Sequence, residues 1–123
     1  MVAQQAVAEE FETARHLLDL LERDGFLVET AIWALDDEGR GRLYIVPLDR
    51  GGDTLDETIR VAQTIVDHRD ELPGRHDLRY SVVKRDNPIV QAVKSVSSPD
   101  GRVRGAYRNG TYVDEAYVLR PAA

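Results

Sequence analysis

The stretch that decides the fold is residues 102–119, RVRGAYRNGTYVDEAYVL. Asn109–Gly110 stands between two runs rich in β-branched and aromatic residues. Asn-Gly suits the two-residue type I′ turn, where both positions need positive φ, so the segment reads as a β-hairpin. The turn sets the register: Arg108 faces Thr111, Tyr107 faces Tyr112, Gly105 faces Asp114, Arg104 faces Glu115 and Val103 faces Ala116. Arg104–Glu115 is then a cross-strand ion pair. Strict alternation puts Val103, Gly105, Tyr107, Tyr112, Asp114, Ala116 and Val118 on one face. Arg102, Arg104, Arg108, Glu115 and Tyr117 fall on the other. The first face is expected to look inward and the second outward.

Working back from the hairpin, Asp86-Asn87-Pro88 marks a helix start, with Asn87 as the N-cap and Pro88 at the first helical position. Ile89, Ala92, Val93 and Val96 give that short helix its apolar stripe. Leu78 to Arg85 reads as a strand carrying Leu78, Tyr80 and Val82 on one side. Before it, Thr54-Leu55-Asp56-Glu57 fits a capping box, with a hydroxyl at the N-cap and a carboxylate three residues on. Leu55, Ile59, Ala62 and Val66 follow at helical spacing, so a helix runs to about Asp70, and Pro73–Gly74 ends the segment. Phe26–Leu35 and Leu43–Leu48 flank the polar turn Asp36–Arg40 and form a first hairpin, which Pro47 brings to an edge or an exit. The opening helix spans roughly Ala3 to Asp24. Val7, Phe11, Ala14, Leu18 and Leu21 form one stripe, Leu17 and Leu20 widen it, and Asp24–Gly25 stops it.

The order is α-β-β-α-β-α-β-β. It implies an α+β fold in a single domain over residues 1–123: five mostly antiparallel strands, two long helices and one short one, with the helices on one face of the sheet. The second and third strands, joined through a helix, suit a crossover connection.

Composition narrows the chemistry. The 123 residues are 42% hydrophobic and 31% charged, enough apolar material for a core. There is no cysteine, which excludes disulfides, thiolate metal sites and cysteine nucleophiles. The net charge of −6 is unevenly spread: residues 1–74 sum to −10 and residues 75–123 to +4. Such a sign change can mark an interaction surface. The first ten residues carry neither a basic segment nor an apolar one, so no signal peptide is expected. No apolar run approaches the ~20 residues that span a bilayer. The expected location is cytoplasmic, without membrane contact.

Catalytic patterns are sparse. No Gly-x-Ser-x-Gly elbow and no phosphate-binding glycine loop occurs. His16, His68 and His76 lack ligand spacing, and Asp36-Asp37-Glu38 lacks the alternation of a calcium loop, so neither a metal nor a cofactor is expected. Lys84 is preceded two positions earlier by Val82, not by the acid a metal nuclease would place there. A metal-independent nuclease could be assembled from His68 or His76, a carboxylate and Arg79, Lys84 or Arg85. Asp114, facing Gly105 on an otherwise apolar face, is either a buried acceptor, a wet residue at the sheet rim or a residue lining a small cleft. The nucleic-acid candidates are Lys84, Arg85, Lys94, Arg102, Arg104 and Arg108, with Tyr107, Tyr112 and Tyr117 between them to stack on bases.

Residues 109–120, NGTYVDEAYVLR, together with Phe11–Leu18 and Gly25–Val28, resemble small bacterial α+β proteins with a C-terminal Asn-Gly-x-Tyr hairpin. That resemblance spans most of the chain, rests on structural motifs and implies no activity. The leading expectation is a non-enzymatic protein-interaction or accessory domain, antitoxin- or immunity-like or self-associating into a homo-oligomer. An acidic helical surface would steer a basic partner toward it. The alternatives are a nucleic-acid binder or small nuclease using the basic C-terminal part, and a small-molecule-binding domain with a pocket near Asp114 and Tyr112.

Overall fold

A computed structural model describes residues 2–35, 39–48, 54–72, 78–96, 102–108 and 110–120. Of residues 2–8, 95, 96, 104, 106–108, 111, 114 and 120 it describes the backbone only. Along the chain run α1 (Val2–Arg23), β1 (Val28–Leu35), β2 (Gly41–Pro47), α2 (Thr54–Asp67), a 3₁₀ turn (Arg69–Glu71), β3 (Tyr80–Val82), α3 (Pro88–Val96), β4 (Arg102–Arg108) and β5 (Thr111–Arg120). This is the α+β order expected from the sequence.

The strands form one mixed sheet in the order β3-β2-β1-β5-β4. β1 lies at its centre, antiparallel to both β2 and β5. β2 and β3, joined through α2, are the parallel pair. The Asn109–Gly110 hairpin keeps its expected register at Arg108↔Thr111, Tyr107↔Tyr112, Arg104↔Glu115 and Val103↔Ala116.

Helix ends follow from local chemistry. Gly25 sits at φ +83°, and its amide donates to the Glu22 carbonyl at 3.1 Å. The Phe26 amide donates to the Leu21 carbonyl at 2.8 Å. These are the two bonds of a Schellman cap, and Phe26 and Leu21 close it as members of one apolar cluster. Asn87 caps α3 through its Oδ1, which accepts from the Ile89 amide at 2.9 Å. At α2 the expected capping box is displaced. The helix already includes Thr54, so the capping position falls outside the described residues. The Thr58 hydroxyl instead donates to the Thr54 carbonyl at 2.8 Å.

The helices do not share one face of the sheet, as the element order alone suggested. Two apolar clusters lie on opposite sides. Leu17, Leu18 and Leu21 of α1, with Val61 of α2, bury Ala31, Trp33, Leu43 and Ile45. Val90, Ala92 and Val93 of α3 bury Ile32, Ala34, Val103, Val113 and Ala116. β1 is therefore apolar at consecutive positions, the pattern of a strand covered on both faces.

The final hairpin also departs from strict alternation. Val113 is buried on the α3 side with Val103 and Ala116, while its neighbour Tyr112, expected inward, is 58% exposed. Between these two levels Gly105 adopts φ +65°, a conformation that glycine takes without steric cost and that turns the strand over. Tyr117, expected to face outward, packs with the α1 cluster. Its ring centroid lies 5.2 Å from that of Phe11.

Candidate interaction surface

The residues singled out by the sequence are not gathered into one site. Lys84 and Arg85 follow β3 at one edge of the sheet, and Arg102 lies in β4 at the other. Arg85 donates to Glu29 of β1 at 2.6 Å. Arg102 donates to Glu115 at 3.3 Å and its guanidinium stands 5.9 Å from the Tyr117 ring centroid. The Tyr117 hydroxyl donates to the same carboxylate at 2.9 Å. The side chains of Arg104, Arg108 and Asp114 lie outside the described residues, though the backbone pairs Arg104 with Glu115 and Arg108 with Thr111. His76 also lies outside them, and His16 is exposed on α1. Among the described residues no group of three His, Cys, Asp or Glu side chains could hold a metal ion. None of the described helices is long and apolar enough to cross a membrane.

One histidine does join two elements. His68, just past α2, holds Glu71 through Nδ1 at 2.7 Å and Asp24, at the end of α1, through Nε2 at 3.1 Å. The Thr64 hydroxyl donates to the same Asp24 carboxylate at 3.3 Å. Both ring nitrogens face acceptors, so the protonated ring satisfies both and the group acts as a tie rather than a free base. The hydrogen bond to Glu71, then the bond and charge of Asp24, raise the His68 pKa above its ordinary 6.5. The same hydrogen bond to His68 holds the Glu71 carboxyl below its ordinary 4.5, and Arg23 and His16 add to the shift.

The sign of the pH effect follows. The His68 contribution is complete below pH 6.5 and lost as pH rises through its raised value. The Glu71 contribution is complete above pH 4.5 and lost as pH falls. The tie is therefore strongest between those two values. Amide exchange in residues 20–25 and 64–72 is expected to be slower, relative to the central strands, at about pH 5.5 than at about pH 8.5. His68→Gln should erase that difference. An equal difference in the variant would remove His68 as its cause.

The more informative surface is on α2, whose side chains sort into three arcs at about 100° per residue. Val61 and Thr64 are buried, and with Ile65 and His68 they face the core and α1. Asp56, Arg60, Gln63 and Asp67 form a polar arc, from which the Arg60 guanidinium lies 5.0 Å from the Phe26 ring centroid. Between them runs the apolar line Leu55, Ile59, Ala62, Val66. Leu55 is 65% exposed, Ile59 56% and Val66 52%.

The strongest apolar spacing in α2 thus faces solvent. The core is closed by the neighbouring line, which includes a threonine. The spacing of the residues marks the stripe but not its direction. The available signal was width: with Val61 and Ile65 included, apolar residues span about 160° of the helix, more than a single core contact requires.

Position in the fold explains the direction. α2 packs against α1 and β3, while α1 covers β1 and β2. The side of α2 carrying Thr64 and His68 meets Asp24 of α1. The apolar line lies about 120–180° around the helix from those two residues, so it looks away from α1.

No family model matches this chain, and no curated protein or solved structure does so either.

Proposed function

We propose that the chain is a non-enzymatic protein-interaction domain that docks its partner on the outward side of α2. The observation that carries this reading is the exposed line of Leu55, Ile59 and Val66 along one regular helix. Isolated exposed apolar side chains are ordinary, but an aligned set spanning three turns is what a docked helix or strand covers. Burying these three side chains on association would contribute roughly 1.5–3 kcal/mol each if their burial were complete. The nucleic-acid reading has less support, because Arg85 is engaged by Glu29 and Arg102 by Glu115, and the two cations belong to opposite edges of the sheet, after β3 and in β4.

Photo-crosslinking tests the reading in cells that make the protein. A photoreactive side chain at position 59 is expected to give a discrete adduct, and the same group at exposed Glu9 of α1 is expected to give none. Equal labelling at both positions, or none at either, would remove α2 as the docking surface. Leu55→Ser/Ile59→Ser should abolish the adduct formed from position 66. Because both side chains are exposed, that pair should change unfolding free energy by no more than about 1 kcal/mol.

A further inference from the structure

Resting on the docking role of α2, we infer that its occupant is a cationic amphipathic helix of another protein rather than a second copy of this chain. The apolar line has the spacing 55, 59, 62, 66, which alternates four and three residues as the seam of two packed helices does. It is straight over about 16 Å, eleven residues at the helical rise, and so matches three turns of a partner helix.

Charge decides between partners. The arc beside the seam holds Asp56 at one end and Asp67 at the other, with Arg60 and Gln63 between. Arg60 is drawn toward the Phe26 ring, and the Gln63 amide donates to Asp67 at 2.8 Å. The two ends of the seam are therefore anionic.

A second copy lying antiparallel, with Leu55 against Val66 and Ile59 against Ala62 of the other copy, sets Asp56 beside the other Asp67 at both ends. Like charges so placed repel. A parallel copy supplies no cation to either carboxylate. A foreign helix with Lys or Arg eleven residues apart meets both, and the acidic first 74 residues would steer it in. The fit requires nothing basic from this chain.

Two synthetic probes of about 18 residues, long enough to become helical on binding, test the inference against the full-length chain. Both carry leucine at the seam positions; one has lysine along the flanks and its twin has glutamate. Fluorescence anisotropy at about 50 and about 300 mM NaCl reads affinity and its screening. The lysine probe is expected to bind at least about tenfold more tightly than its twin, and less tightly at high salt. Asp56→Asn/Asp67→Asn should weaken the lysine probe by about tenfold and flatten its salt dependence, because it removes the two end charges. Glu9→Gln/Glu12→Gln, equal in charge change but on α1, should leave it unaltered. Leu55→Ser/Ile59→Ser should abolish binding, with circular dichroism confirming that both variants keep their helices.

Equal binding of the twin, or equal weakening by the α1 pair, would overturn the inference. So would a dimer in sedimentation that Ile59→Ser dissociates; that result assigns the surface to a second copy while preserving α2 as the docking element. A monomer that binds neither probe and gives no adduct from position 59 would overturn both readings.

Discussion

Replacing Trp33 by alanine is expected to lower the unfolding free energy by about 3–5 kcal/mol, the usual range for an aromatic residue truncated in a closed core. Trp33 is 1% exposed in the central strand. Its ring centroid lies 5.5 Å from that of Phe11 and 6.3 Å from that of Tyr117, so the indole ties α1, β1 and β5 into one cluster. A loss of that size is a large part of the 5–15 kcal/mol that typically separates a folded domain from its unfolded chain. Trp33→Phe should cost less than half as much. It keeps an aromatic ring and removes an indole Nε1–H that is buried without a hydrogen-bond partner among the described residues. Urea unfolding followed by circular dichroism reads both values. A cost below about 1 kcal/mol for the alanine variant would mean that the neighbouring rings close the gap.

Gly41→Ala carries the second large effect, for the opposite reason. A Cβ on Gly41 would stand 2.6 Å from Trp33 Cε2 and 2.9 Å from its Nε1, inside contact distance of a rigid, enclosed ring. The expected cost is about 1–3 kcal/mol, the range for overpacking a filled core. The two sites should be coupled. In a Trp33→Phe background the added methyl meets a smaller ring, so Gly41→Ala should cost at least about 1 kcal/mol less there than in the native protein. Additive losses would show that the strain lies in the backbone rather than against the indole.

The candidate surface was only half legible in the residues. Leu55, Ile59, Ala62 and Val66 stand out by spacing alone. A helical period says which side chains share a line, not which of two apolar lines meets the sheet. That depends on where α2 lands beside α1. Thr64 and His68 bond to Asp24, 40 and 44 residues away, and no local rule connects them. The basic C-terminal residues show the converse. Lys84, Arg85 and Arg102 are near in sequence and in charge, yet the sheet order β3-β2-β1-β5-β4 places the first two and the last toward opposite edges.

Local chemistry by itself determined the elements and their punctuation. Gly25 ends α1, Asn87 starts α3 and Asn109–Gly110 fixes a register that holds from Arg102↔Tyr117 to Arg108↔Thr111. These signals act over two to six residues, within reach of a single turn or cap. Tertiary structure alone decided which faces are buried. α3 crosses to the side of the sheet opposite α1 and α2, so β1 is covered on both faces and Tyr117 turns inward. The positive φ of Gly105 reverses the hairpin's faces between Val103 and Val113. Burial is a property of what lies across the gap, and for this chain the neighbours that bury β1 and expose the α2 stripe come from distant parts of the sequence.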